Sequence, residues 1–203
     1  MITQSVEKKV LARIYGHGRG WAFSPVDFRD VGRVDMAMNR LVEAGTIRRV
    51  MRGVYDYPRF SELLQQPLAP DVHEVAQALA RKFGWRIQPD GAAAMNLIGL
   101  STQVPSQYVF LSDGPDRTYR VGKTAIAFRQ VALKEIGFRH HESGIIVQAL
   151  KSLGEERITE SVIKTVRDWL PTARRDKVLK DTERVTGWVY EAIKKICREQ
   201  EIG

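Results

Sequence analysis

Residues 31–58, VGRVDMAMNRLVEAGTIRRVMRGVYDYP, impose an order on the chain: a helix, a turn, then a basic β-hairpin. Each residue of Arg33 to Ala44 advances about 100° around a helix axis. That places Val34, Ala37, Met38, Leu41, Val42 and Ala44 on one half of a cylinder. Arg33, Asp35, Met36, Asn39, Arg40 and Glu43 fall on the other half. The apolar half is a core-facing stripe. The outer half carries side chains suited to base edges: arginine for guanine, asparagine for adenine, an apolar tip for a thymine methyl. An ordinary amphipathic helix with a solvated face has the same pattern and, for the helix alone, is the favoured reading.

The segment after this helix favours nucleic acid. Gly45 stands where a helix C-cap glycine belongs. Thr46–Val50 and Val54–Tyr57 read as two strands around Met51-Arg52-Gly53. Between Ala44 and Tyr55 there are three arginines and no acid. A hairpin of that charge suits a phosphate backbone or a minor groove. The competing reading is a solvated hairpin whose arginines serve solubility. Its place directly after a helix of the right polarity favours the DNA reading.

The preceding residues complete a recognisable order. A first helix is expected from about Gln4 to Tyr15, with Val6, Val10, Leu11 and Ile14 inward and Gly16 ending it. Gly16 to Gly20 is glycine-rich but lacks the spacing of a nucleotide-binding loop, and no strand precedes it. It reads as a connection in which Arg19 meets a DNA phosphate. Trp21–Phe23 is a short strand expected to pair with the hairpin. Ser24-Pro25 starts a second, short helix with Phe28 and Val31 inward, and Gly32 turns into the next helix. Helix, strand, helix, turn, helix, hairpin is the order of a winged helix-turn-helix.

Charge supports this placement. The 203-residue chain has a net charge of +8 and a pI near 9.7. Residues 1–60 hold 11 Lys/Arg against 6 Asp/Glu, residues 61–135 hold 8 against 7, and residues 136–203 hold 13 against 11. The excess is concentrated in the first sixty residues, as expected of a nucleic-acid binder. No lipidation signal or long apolar run points to a membrane. Cys197 is the only cysteine, which excludes an intramolecular disulfide and a Cys-based zinc site. The first residues lack the apolar core of a signal peptide, and a cytoplasmic protein is expected.

Residues 59–69 read as a linker, with the boundary near Gln66. The expected domains are therefore 1–66 and 67–203. The second opens on a helix capped by Asp71 with Glu74 three residues on. Its stripe is Val75, Ala76, Leu79 and Phe83, and Gly84 ends it. A strand at Trp85–Pro89 and a small helix at Ala92–Leu100 come next. Strands at Gln107–Leu111, Tyr119–Val121 and Thr124–Gln130 predict a mixed α/β unit with a small antiparallel sheet and C-terminal helices. The fold class is thus α+β.

Three motif-like sets fail as chemistry. Gly122-Lys123-Thr124 lacks the glycine a P-loop needs at 117, where Arg117 stands, and a strand comes after it. His140-His141-Glu142 are adjacent, so their side chains diverge; they read as a helix start. Ser161 and Lys164 sit in a packed amphipathic helix with no second catalytic motif. Thr159 is expected to cap that helix, which ends at Leu170-Pro171. Arg174, Arg175, Lys177 and Lys180 form a basic cluster, either a second phosphate contact or, the favoured reading, a solvated helix face. A final helix is expected over about 182–200.

Two segments carry a resemblance. GRGWAFSPVDF and VDMAMNRLVEAGTIRRVMRGVYDYP resemble the N-terminal domain of AbiEi-type antitoxins of type IV toxin–antitoxin and abortive-infection systems. QPDGAAAMNLIGLSTQVPSQYVFLSDGPDRTYRVGKTAI resembles the middle of that family, in its DUF6088-like branch. The similarity covers roughly Trp21 to Phe128. It implies a repressor that binds inverted repeats in its own promoter, with a nucleotidyltransferase-type toxin as functional partner but without necessary direct contact. The DNA contacts map onto Arg33, Met36, Asn39 and Arg40 of the helix and Arg48, Arg49 and Arg52 of the hairpin, with Arg19 added from the glycine-rich loop.

The expected partner is double-stranded DNA; a homodimer on it is one arrangement, and the sequence leaves the oligomeric state open. No catalytic residue, metal, cofactor or membrane association is expected. The alternative is a nucleic-acid-targeting accessory subunit of an enzyme complex. Catalysis by the chain itself would need paired carboxylates or a nucleophile in residues 70–203, where the acids are scattered on helix faces.

Overall fold

A computed structural model describes residues 2–103, 105, 107–132 and 136–198, with side chains from Val6 onward. It is a mixed α+β protein that divides into two compact units, 1–85 with 120–123, and 86–119 with 124–203. None of the described helices is long and apolar enough to cross a membrane.

The first unit begins with α1 (Ile2–His17), β1 (Ala22–Phe23), a 3-10 turn (Pro25–Phe28), α2 (Asp35–Glu43) and the strands β2 (Arg48–Met51) and β3 (Val54–Asp56). α1 runs past Gly16, its expected end. Gly18, at φ +87, closes the last turn by donating to the Ile14 carbonyl at 3.1 Å. The sheet order is β1-β3-β2, antiparallel throughout, so the short strand does pair with the hairpin. Gly45 (φ +69) and Gly53 (φ +70) take the left-handed positions that end α2 and turn the hairpin. Val10, Ile14, Phe23, Phe28, Val34, Met38, Leu41, Ile47 and Tyr55 form one buried cluster. The α2 stripe read from the sequence is the buried one, except that Val42 is half-buried and Ala44 exposed.

Asp27 ties this unit together. It is the third residue of the 3-10 turn, and its Oδ2 accepts the Ser24 N–H at 2.9 Å. Its main-chain carbonyl accepts Arg13 Nη1 from α1 at 2.7 Å. Its Oδ1 accepts Arg81 Nε at 2.7 Å, and Arg81 Nη2 also donates to the Ala22 carbonyl at 2.8 Å.

Arg81 belongs to α3 (Val72–Phe83), the helix expected to open the second domain. It packs instead on β1, β3 and the 3-10 turn, so the first unit runs to Trp85 and the expected boundary near Gln66 falls inside it. The expected Asp71 cap is present, accepting from the His73 and Glu74 N–H groups at 3.0 and 3.2 Å. Burial among these elements, and the nearby Asp71 carboxylate, raise the Glu74 carboxyl despite a hydrogen bond from the Ala22 backbone. The expected linker is also ordered: β4 (Phe60–Ser61) and β5 (Gln66–Pro67) pair as a small antiparallel hairpin.

The second unit contains β6 (Ile87–Pro89), α4 (Gly91–Ile98), β7 (Gln107–Ser112), β9 (Thr124–Gln130) and residues 117–119 of β8 (Arg117–Val121). Four helices complete it: α5 (His141–Leu153), α6 (Glu160–Trp169), α7 (Arg175–Asp181) and α8 (Gly187–Cys197). The strand order is β6-β7-β9-β8. β6 and β7 are antiparallel, whereas β7 and β9 are parallel, so the sheet is mixed rather than purely antiparallel. The reason is that β9 lies between the consecutive strands β7 and β8. At Gly144 of α5 a Cβ would lie 2.7 Å from the Gln88 side chain, and the buried Gln88 amide donates to the Gly144 carbonyl at 3.1 Å. Glycine is what lets α5 approach β6. The Thr159 hydroxyl caps α6 through the Val162 N–H at 3.3 Å.

The long final helix expected over 182–200 begins only at Gly187, because Val185 lies in the turn that separates α7 from α8; residues 199–200 lie outside the described part. Ile145, Ile146, Leu150, Ile163, Val166, Val189, Ile193 and Ile196 build the core of this unit. Cys197 is buried at its edge, and burial pushes its thiol up to about 11, so it carries no thiolate at neutral pH.

The charged contacts of the first unit are testable. Arg81→Ala lowers stability by about 1–2 kcal/mol, the range for a partly exposed charge-assisted hydrogen bond. Urea unfolding monitored by tryptophan fluorescence measures this, and Asp27→Asn combined with Arg81→Ala costs less than the sum of the single changes. A second test concerns Asp30, whose carboxylate accepts both Arg13 Nη atoms at 2.6 and 2.7 Å and is held down to about 2. A depressed carboxylate stabilises the fold at neutral pH, and that contribution fades as the pH falls from the ordinary carboxylate range toward 2. Carboxyl NMR titration finds the low value in the native chain and a return toward the ordinary range in Arg13→Gln.

Candidate nucleic-acid interface

The candidate residues lie on α2, on the β2–β3 hairpin and on the loop before β1. The buried stripe of α2 fixes which face is outward. Arg33, just before the helix, and Met36, Asn39 and Arg40 on it are all exposed, and Met36 retains 64% of its accessible surface. An exposed methionine of that degree has no packing role. Arg40 lies 3.7 Å from Glu7 of α1. A solvent-exposed pair at that distance contributes well under about 1 kcal/mol, so Arg40 is not fixed by it.

The hairpin arginines divide into two kinds. Arg49 and Arg52 are exposed and make no side-chain hydrogen bond or ion pair among the described residues. Arg48 is different. It stands directly across the ladder from Asp56. Its Nε and Nη2 clamp the Asp56 carboxylate, with Nε at 3.0 Å, and its Nη1 donates to the Leu68 carbonyl at 2.9 Å. Asp56 is 1% exposed. A buried carboxylate needs its counter-ion, so Arg48 serves the hairpin fold and the attachment of the segment after β5. The ladder register shifts between Arg49 and Met51, a bulge at Val50 that twists the strand locally.

Arg19 stacks over the Tyr57 ring at 4.7 Å and gives one N–H to the Pro58 carbonyl at 2.9 Å. It is held at the open end of the hairpin, exposed, with donors to spare. Beside it His17 and Trp21 stack with ring centroids 3.8 Å apart.

Sequence patterns do not point to Lys82. Its Nζ donates to the Arg52 carbonyl at 2.9 Å, and a Cβ at Gly53 would come within 2.9 Å of it. Burial, then the charge of Arg52, pull its ammonium below the usual lysine range. Lys82 braces the hairpin tip from α3, thirty residues away, and no local signal marks it.

The acids of this unit are largely committed. Glu7, Asp27, Asp30 and Asp56 each face an arginine, whereas Asp35 and Glu43 sit at the two ends of α2. Arg33, Arg49 and Arg52 therefore keep full hydrogen-bonding capacity toward an external anion.

No curated protein matches the chain. A family model described as a family of unknown function matches residues 9–178. The chain belongs to that family, DUF6088.

Proposed function

We propose that the first unit is a winged helix-turn-helix that binds double-stranded DNA, with α2 as reading helix and the β2–β3 hairpin as wing. The observation that carries this reading is the division of the arginines. Those whose partners are local acids brace the fold, while Arg49 and Arg52 at the hairpin and Arg33 beside α2 stay free among the described residues. Free guanidinium groups on a two-stranded ribbon match phosphate oxygens, and they fix position rather than sequence. Asn39, Arg33, Arg40 and Met36 supply base readout from the exposed face of α2.

The biological role we infer is that of a cytoplasmic promoter-binding repressor of the antitoxin type, acting as a dimer on inverted repeats beside a nucleotidyltransferase-type toxin. That part rests on the resemblance to AbiEi-type antitoxins alone. The toxin's effect would be countered without a required complex. In this role the chain performs no catalysis.

Fluorescence anisotropy with DNA from the gene's own promoter and with scrambled DNA, each at several salt concentrations, tests the proposal. The full chain prefers the promoter and loses affinity steeply with salt. Arg49→Gln with Arg52→Gln weakens binding to both DNAs and reduces the log–log salt slope by about 2, near 0.9 per lost phosphate contact. Asn39→Ala leaves the slope unchanged and costs about tenfold in preference for the promoter. Arg48→Ala lowers the urea midpoint, in contrast to Arg49→Gln. Equal affinity for promoter and scrambled DNA, or an unchanged slope in the wing variant, would sink this assignment.

A further inference from the structure

The second unit holds a basic cleft that the DNA-binding role does not use. Its cavity of about 500 Å³ is lined by Arg139 and His140 ahead of α5, Lys177, Lys180 and Asp181 of α7, and Arg184 beyond it. An adjoining cavity of about 430 Å³ shares Asp181 and Arg184 and adds Phe138 and Val185. The first lining is mainly cationic, and the second adds the apolar Phe138 and Val185.

Asp181 builds the cleft and, as a charged carboxylate, offsets part of its positive charge. Its Oδ1 accepts the Arg139 N–H at 3.1 Å and its Oδ2 the His140 N–H at 2.9 Å. Desolvation works against its charge, but these backbone N–H groups hold its carboxyl below the usual range. Both oxygens are thus committed to the start of α5. This places Arg139 beside α7, where Lys177 and Lys180 stand three residues apart and share one face. Arg139, Lys177, Lys180 and Arg184 make no side-chain hydrogen bond or ion pair among the described residues, and Glu183 is the only other described acid lining the space.

Neighbouring cations behave differently. Arg174 pairs with Glu142 at 3.3 Å, and Arg167 donates to the Lys195 and Ile196 carbonyls. Four cations without a side-chain partner among the described residues thus line one concavity. Four cations against the carboxylates of Asp181 and Glu183 leave the lining with a positive excess, which a multivalent anion offsets.

We propose that this cleft binds a phosphorylated ligand with at least two phosphoryl groups. Arg139, Lys177, Lys180 and Arg184 take the phosphoryl oxygens, and the Phe138–Val185 side seats the apolar or base portion. Arginine forks and lysine point charges together suit a diphosphate, and the two cavities have the volume for a nucleoside diphosphate. The phosphoryl groups come either from a free nucleotide or from a nucleic-acid backbone.

Isothermal titration of the full chain with inorganic pyrophosphate and with ADP, at low salt, tests this. Both bind with Kd below about 1 mM, and ADP binds more tightly than pyrophosphate. Lys177→Gln with Lys180→Gln, at exposed positions that leave the core intact, weakens both by at least about tenfold. Arg49→Gln with Arg52→Gln leaves both unchanged, which separates this site from the wing whether or not the wing binds DNA. A short duplex that displaces pyrophosphate, and binds less tightly to the Lys177/Lys180 variant, identifies a nucleic-acid backbone as the source; a duplex that displaces nothing identifies a free nucleotide. Absence of binding by either probe at millimolar concentration overturns the proposal, as does equal loss in the wing variant.

Discussion

The first unit depends on one carboxylate placed where its segments meet. Asp27 gathers the Ser24 N–H, the Arg81 guanidinium and, through its main-chain carbonyl, Arg13. Each link joins a different part of the chain: the 3-10 turn to itself, to α3 and to α1. A carboxylate that is 11% exposed in its side chain is costly without such partners. With them it sets where α3 lies against β1, and α3 in turn carries Lys82 to the hairpin tip. The β2–β3 hairpin is therefore braced from behind by a helix that is remote in sequence, which would limit the conformational freedom lost if its arginines meet a ligand.

The same economy governs the other charges. Arginine is useful to a binding surface only where its fork is not already filled. Asp56 fills that of Arg48 and Asp30 that of Arg13. Both pairs stabilise the frame, one as a cross-strand pair and one as a clasp between α1 and the turn after the 3-10 segment. The arginines left for recognition are set by subtraction. Counting arginines by region overstates the candidate interface, and pairing each with its local acid corrects the count.

Much of the frame was legible because its signals are local. Gly45, Gly53, the Asp71 and Thr159 caps and the α2 stripe are each decided within a few residues. The illegible part depends on contacts distant in sequence. The Arg81 bonds to Asp27 and Ala22 span 54 and 59 residues, so nothing local assigns α3 to the first unit. The parallel pairing of β7 with β9 hides behind two ordinary-looking short connections. The division of Arg48 from Arg49 was closer to reach: once the hairpin register is known, Arg48 faces Asp56, and burial of that acid decides its role. In the second unit the sequence exposed the cluster around Lys177 and Lys180. Arg139 and Arg184 join it only through the Asp181 bonds to the start of α5 and through the turn after α7.

The two basic features differ in shape, and shape decides what each recognises. Arg49 and Arg52 project from a ribbon, so in the proposed DNA complex each would meet a phosphate separately and add its own counterion-release contribution. Such a surface grades affinity with the number of contacts and suits a long, regular polyanion. The cleft around Lys180 is concave and lined by four cations, which the proposed binding mode has address one anion together. Their joint contribution depends on a ligand that brings several phosphate oxygens into a small space, as a diphosphate or successive backbone phosphates do. An apolar wall beside the cations adds selection by the rest of the ligand, a discrimination the ribbon cannot supply because nothing encloses what it touches.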